Sequence, residues 1–421
     1  MRFSYRKDVL ANGVRIVTES GKDTGSVSLG FWVGVGSSLE PTEMAGVSHF
    51  IEHILFKGTL KRSAFDIANA LESVGGTVDA FAGKESTAFV ARCLTEDTTR
   101  AVDVITDMLG RPAVREKDIQ LEKRVIFEEI RNFEDTPEDV AHELLATSVW
   151  KSHPLGKPVL GTPKTVGKLT RDTIMPFFKS FYSAPNIVVA ASGRVDHSRL
   201  VDSVARMLKV GVDRPPTRVE PFKSRLPRVH GETRKVSQAY ICLGTAGPHF
   251  ASPRRHAHML LSMILGGGMT SRLFQQVREK DGLAYTVYGS CEFYRDTGIF
   301  YIFLAVDPKS VRTAVARVSR ELKRLKTRGL ARGELKSVKQ QLKGGLLLGL
   351  ESSAARMNRL ARHEIYLNSY RTIDQSIQSI RRVTEADVME EARLLLKPSA
   401  FSLVTVGPSW TEFPSKSDLV F

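Results

Sequence analysis

The residues in this chain best placed to do chemistry are His49, Glu52 and His53, in the run His49-Phe50-Ile51-Glu52-His53. On an α-helix, residues four apart differ by about 40° around the axis, and a residue three along sits about 60° to the other side. The two imidazoles and Glu52 therefore share one helix face, while Val47, Phe50, Ile51, Ile54 and Leu55 make most of the remaining surface apolar. A helix apolar over so much of its circumference is expected to be buried. Two histidines at i and i+4 can each aim a ring nitrogen at one point about 2.0–2.1 Å away, which is the geometry of a zinc-ligand pair. Glu52 then stands beside the open position, where a general base takes a proton from water. The plain alternative is a pair of hydrogen-bonded core histidines, and the five-residue motif alone does not decide between the two.

A hydrolytic zinc takes three protein ligands, so a third must come from another element. The segment REKDIQLEKRVIFEEIRNFEDTPED has helical periodicity, with Ile119, Leu121, Val125, Ile126, Ile130 and Phe133 marking an apolar face. On that wheel Glu122 and Glu129 fall inside the apolar stripe and Glu128 at its edge. Carboxylates there are costly unless paired or bound to a cation. A buried ion pair with Lys or Arg is the competing reading. Two carboxylates on one stripe, in the half that carries the histidine pair, point instead to Glu129 as third ligand and Glu122 as the group that orients a ligand histidine.

The elements that must position these residues recur along the chain. Each half opens on strand-like alternation (VRIVTES and SVSLGFWVGV; then QAYICLGTAG) and continues into an apolar helical stretch (GVSHFIEHILF; then HAHMLLSMILGGG). A helix ending in Gly and a strand follow, FDIANALESVGGTVDAFAG and then LFQQVREKDGLAYTVYG. Each half closes on a buried strand, IVVAASG and FSLVTVG. The offset of roughly 205 to 215 residues marks an internal duplication. Four prolines (Pro215, Pro216, Pro221, Pro227) stiffen the stretch between the halves. The expectation is an α+β protein of two structurally duplicated domains, each a mixed or antiparallel sheet with helices on one face. The spans are 1–212, carrying the metal motif, a Pro-rich linker at 213–229, and 230–421, without it. In the second half the aligned stretch Arg255-His256-Ala257-His258-Met259 has no Glu, and its histidines two apart cannot share a helix face.

A chain of 421 residues with 42% hydrophobic and 25% charged residues can bury two or three cores and is neither fibrous nor disordered in composition. Cys93, Cys242 and Cys291 are three, scattered and without CxxC spacing, so they are expected as reduced thiols rather than a disulfide frame. No apolar run approaches a membrane span, and the N-terminus enters a polar, strand-like pattern at once; a cytoplasmic location is expected. The net charge of +15 is spread through helical patterns without a nucleic-acid signature, and reads as a solvated basic face with neither nucleic acid nor membrane as partner.

The sequence resembles the pitrilysin (insulinase-type, inverzincin) metallopeptidase family, most closely its processing-peptidase branch, which includes the β subunit of mitochondrial processing peptidase. The matching residues are His49 to His53, Phe56-Lys57-Gly58-Thr59, Glu122 and Glu129, the latter 76 positions after His53, and Asp79-Ala80-Phe81-Ala82. Further matches are His153-Pro154-Leu155-Gly156 and the run from Gly266 to Phe274. The resemblance covers nearly the whole chain. It implies one Zn2+ per chain held by His49, His53 and Glu129, with Glu52 as base and Glu122 behind a ligand. It implies further that Arg278 and Tyr285, seven residues apart, contact the substrate and help polarise its carbonyl, and that Asp79, Ala80, Phe81 and Ala82 offer a strand edge to the peptide. The implied activity is a zinc endopeptidase closing around short or unfolded polypeptides, as a homodimer whose sites combine the first half of one subunit with the second half of its partner. At Asp79 family members often carry Asn. A catalytically silent scaffold subunit is the alternative of the same fold; such chains typically lose ligands, and this one retains all of them.

Overall fold

The computed structural model describes every residue except 1–2, 23–24, 152, 216–221 and 223–227. Most of the expected linker, including Pro216, Pro221 and Pro227, lies outside the described residues. The first sheet has six strands: β1 (Ser4–Val9), β2 (Arg15–Ser20), β3 (Ser26–Val33), β4 (Thr77–Ala82), β5 (Thr87–Leu94) and β6 (Ile187–Gly193), in the order β1-β2-β6-β3-β5-β4. The second has β7 (Val229–Thr233), β8 (Ala239–Gly247), β9 (Ala284–Phe293), β10 (Gly298–Val306) and β11 (Ser402–Gly407), in the order β7-β11-β8-β10-β9. β2 pairs parallel with β6, and β7 with β11; every other neighbouring pair is antiparallel. The series β2-β6-β3-β5-β4 and β7-β11-β8-β10-β9 thus repeat one order and one set of directions, which is the duplicated α+β architecture.

Strand periodicity divides each sheet between two cores. In the first sheet Ile16, Leu29, Phe31, Val189 and Ala191 face the main helical layer, built from α1 (Val47–Leu55), α2 (Ala64–Glu72), α3 (Thr98–Gly110) and α4 (Glu116–Glu134) together with later helices. The alternate residues Val17, Trp32, Val188 and Ala190 face the other way, against Met357, Leu360 and Ala361 of the helix Ser353–Leu367. The second sheet has the same arrangement: Phe300, Ile302 and Leu304 face its main core, while Ile299, Phe303 and Ala305 meet α5 (Pro137–Trp150). Among the described residues each sheet therefore carries one helix on its second face, a feature the one-face expectation lacked.

Those two helices come from the opposite halves of the sequence. The chain forms two compact units: the first contains the residues up to Ile130, those from Lys157 to the linker, and Leu347–Tyr370; the second contains Arg131–Gly156, the residues from the linker to Leu346, and Arg371–Phe421. The expected spans 1–212 and 230–421 describe the halves of the sequence, and the compact units differ from them by these two exchanged segments. Polar contacts to two buried carboxylates fix the exchange in the first unit. Arg356 Nη1 lies 3.2 Å from Glu19 Oε2, the Tyr370 hydroxyl donates to Glu19 Oε1 at 2.8 Å, and Lys7 Nζ reaches Glu364 at 2.8 Å. Among the described residues no helix is long and apolar enough to cross a membrane, and the three cysteines are free.

Candidate metal centre

The nine residues of α1 bury Val47, Phe50, Ile51, Ile54 and Leu55 at no more than 1% exposure. Each such side chain contributes roughly 1.5–3 kcal/mol of burial, which fixes the rotation of the helix and turns His49, Glu52 and His53 to the remaining face. The start of α1 is unusual. Its N-cap is Gly46, which has no side chain to offer, and the carboxylate of Glu40 takes over, accepting from Gly46 N and Ser48 N at 2.7 Å each.

The buried stripe of α4 is Ile119, Glu122, Lys123, Ile126 and Ile130, at the spacing of one helix face. The expected apolar face is displaced from this. Leu121 and Val125 are 49% and 38% exposed, because the stripe is set by Ile119, Ile126 and Ile130, and these two lie on its flank. Glu122 is sealed at 1% exposure as expected, whereas Glu129 is only partly covered, with 37% of its side chain open.

The three residues expected as ligands converge. His49 Nε2 lies 3.6 Å and His53 Nε2 3.5 Å from the same Glu129 oxygen, Oε2, and one donor atom from each residue falls within 4.8 Å of the others. Tetrahedral ligands about 2.0–2.1 Å from zinc sit about 3.4 Å apart, close to both histidine–Glu129 separations. On the far side of the His53 ring, Nδ1 lies 3.1 Å from Glu122 Oε2, leaving Nε2 as the nitrogen turned to the cluster. Lys57, four residues past His53, places Nζ 2.7 Å from the other Glu122 oxygen, as a close ion pair outside hydrogen-bond alignment. His49 Nδ1 is buried with no hydrogen-bond partner among the described residues.

The electrostatics follow from this packing. Burial, with the His53 charge adding, lowers the His49 imidazole to about 4, so His49 is neutral and its ring nitrogen is available as a ligand. At His53 burial works downward, but the hydrogen bond to Glu122 and the charges of Glu129 and Glu52 raise it overall. Burial pushes the Glu52 carboxyl up, with Glu129 and Asp79 adding and the His53 charge and Ala82 N–H opposing. Burial would raise Glu122 as well, yet the His53 hydrogen bond and the Lys57 ammonium hold it below the ordinary carboxylate value.

The strand edge expected beside this cluster is β4, the outer strand of its sheet. Two of its main-chain donors turn away from the ladder: Ala82 N–H donates to Glu52 Oε2 at 2.9 Å, and Ala80 N–H donates to the side chain of Asp79 at 2.8 Å. Asp79 and Phe81 are exposed, Phe81 at 44%. Arg278 and Tyr285 belong to the second unit and are brought to each other there. Arg278 lies on a π-helical turn, Phe274–Lys280, a widened form frequent at functional sites. Its guanidinium stacks 4.9 Å from the Phe274 ring centroid and 5.2 Å from that of Tyr285, which is 75% exposed on the edge strand β9. His153 also belongs to the second unit, where Nε2 meets Asp296 at 2.9 Å. Sequence reasoning gave no role at the cluster to Lys57, named only in a matching run, and did not single out Glu40. Lys57 lies in the turn just past α1, where helical spacing does not place it, and a capping residue six positions before the N-cap gives no signal either.

Comparisons with known proteins bear on the family of the chain. A model of the insulinase family (peptidase family M16) matches residues 15–163, and one of the M16 inactive domain matches residues 168–342. An uncharacterised zinc protease of Streptomyces coelicolor is 39% identical, over 96% of this chain and 90% of its own. The uncharacterised zinc protease YmxG of Bacillus subtilis is 34% identical, over 94% and 97%. Among solved structures, a protease from Helicobacter pylori superposes with a TM-score of 0.92 at 20% identity, over 96% of this chain and all of that one. Identity of 39% across almost the full length, with both domain models in order, makes this chain a member of the insulinase family, peptidase family M16.

Proposed function

We propose that the chain is a zinc-dependent endopeptidase acting on short or unfolded polypeptides. The observation that carries the reading is the meeting of His49, His53 and Glu129 within 4.8 Å, with Glu52 on the same helix face as both histidines. Zinc held by those three residues supplies Lewis-acid polarisation of the scissile carbonyl and lowers the pKa of water toward about 7. Glu52 is the general base, its carboxyl raised by burial. It accepts a proton from the attacking water and returns it to the leaving amine. Glu122 holds His53 by Nδ1 so that Nε2 stays turned to the cluster.

The peptide docks as an added strand on β4, where main-chain donors bind many sequences without demanding one. Ala80 and Ala82 supply those donors, their N–H groups exchanging the Asp79 and Glu52 carboxylates for the peptide, and Asp79 and Phe81 flank the docked strand. Arg278 and Tyr285, fixed against each other by stacking, stabilise the developing oxyanion. The chain carries both that pair and the metal set, which favours a homodimer in which each active site draws on two copies. A cytoplasmic location is proposed on the reduced cysteines.

A Glu52→Gln variant tests the reading with a quenched, unstructured peptide. It is expected to keep its fold and its zinc and to lose at least 100-fold in kcat. Cleavage at the parental rate would remove Glu52 from the mechanism.

A further inference from the structure

Several α-helices of the first unit are capped by the side chain of their own N-cap residue. α2, for example, begins at Ser63, whose side chain accepts from Asp66 N while Asp66 accepts from Ser63 N. α1 differs, and it is the helix that carries three of the chemical groups. Gly46 adopts φ +93°, a backbone conformation other residues rarely take, and a Cβ there would come 2.7 Å from the Leu160 carbonyl oxygen. A side chain at the N-cap position is therefore excluded, and α1 cannot cap itself. Left alone, its first N–H groups would be buried without acceptors.

Glu40 fills that role from a distance. It is 2% exposed and gives one oxygen to Gly46 N and the other to Ser48 N. The same end of the helix is gripped from a second side. Lys157 Nζ donates to the Glu40 main-chain oxygen, and Thr165 Oγ1 donates to Ala45 O at 2.7 Å. Gly161, at φ +71°, lets the Leu160 turn lie directly on Ala45. Burial raises the Glu40 carboxyl, against the Ser48 and Gly46 N–H groups and the Lys157 charge. Two N–H donors aimed at both oxygens, together with the positive end of the helix dipole, oppose that rise.

Resting on the metal site read above, we propose that Glu40 is a positioning residue for that site: as a remote cap it fixes the first turn of α1, and with it the aim of His49 toward Glu129. His49 is the third residue of the helix and directly follows Ser48, one of the two capped residues. Its Nδ1 has no partner among the described residues, so no hydrogen bond on the far side of the ring orients it as Glu122 orients His53. The aim of His49 thus depends on the backbone beneath it.

The test uses the full-length chain and two readouts besides activity: zinc affinity by competition with a chromophoric chelator, and amide exchange resolved by segment. Glu40→Gln keeps the shape but places an NH2 against one of the N–H donors. It is expected to bind zinc about tenfold more weakly and to speed exchange in α1 about tenfold, with β3 and β6 unchanged. Zinc affinity within twofold of the parent would overturn the inference. Uniformly faster exchange through the unit would overturn it too, by showing a general loss of stability. Should Glu40→Gln fail to fold, Glu40→Asp decides: one methylene shorter, it cannot reach both N–H groups, and zinc binding at least threefold weaker is expected. Parental affinity in Glu40→Asp would again overturn the proposal. A parent chain that binds no zinc would instead remove the metal reading itself.

Discussion

His53 Nδ1 and Glu122 Oε2 lie 3.1 Å apart, joining a helix that carries two imidazoles to a carboxylate 69 residues further on and 1% exposed. The contact selects which ring nitrogen His53 presents, and Lys57 keeps Glu122 charged in a place where a lone carboxylate would take up a proton. Glu122→Gln is therefore expected to fold and to bind zinc about 10- to 100-fold more weakly, as read by chelator competition. Unchanged affinity would mean that Glu122 serves only to pair with Lys57.

The exchanged helix Ser353–Leu367 is held to the first sheet through Arg356 and Glu19, both under 9% exposed. Removing one partner of a buried pair leaves the other uncompensated. Arg356→Met is expected to destabilise the protein by about 3–5 kcal/mol in denaturant unfolding and to open this helix to limited proteolysis. A loss below about 1 kcal/mol would mean that the apolar contacts of Met357, Leu360 and Ala361 hold the helix alone.

Much of this was legible in the sequence, and the parts that were not have physical reasons. The face shared by His49, Glu52 and His53 follows from helical geometry, and the duplication follows from repeated strand and helix patterns; both recur in the structure. On α4, counting Leu121 and Val125 into the buried face pulled its axis off, although Glu122 and Glu129 still came out together. Both leucine and valine are common at the edge of an interface, and a wheel cannot tell edge from centre. The exchange of α5 and Ser353–Leu367 between units was invisible because periodicity shows that a helix has an apolar face and not which sheet it meets. Glu40 was invisible for a similar reason: its partners are main-chain groups, which every sequence has.

In the second unit, Arg272 clamps Glu334 with two contacts of 2.8 and 2.6 Å and also reaches Gly329 O. Burial works to raise the Glu334 carboxyl, but the Arg272 hydrogen bonds and the Ala331 N–H hold it below its ordinary value of 4.5. A carboxylate depressed on folding stabilises the protein above its unfolded value, and that contribution is lost as pH falls through the folded one. Glu334→Gln should thus lower stability by about 1 kcal/mol near neutral pH, and the difference from the parent should shrink below pH 4.5. Denaturant midpoints measured from pH 7 to pH 3 check the sign; a gap that widens on acidification contradicts it.

If two copies share each active site, inactive Glu52→Gln and inactive Tyr285→Phe chains should restore activity when mixed. A random dimer mixture pairs them half the time, with one intact site in each mixed dimer, so roughly a quarter of parental activity is expected if residues from two chains combine. No recovery, with subunit exchange verified by mass, would place all of these groups in one chain.

The central claim is that two imidazole nitrogens and one carboxylate meet at a single cation. Anomalous diffraction at the zinc edge, from crystals of the full chain grown with one equivalent of zinc, tests it most directly. One peak is predicted, about 2.0–2.2 Å from His49 Nε2, His53 Nε2 and a Glu129 oxygen. A zinc peak elsewhere, or one that leaves Glu129 out of contact, would contradict the account.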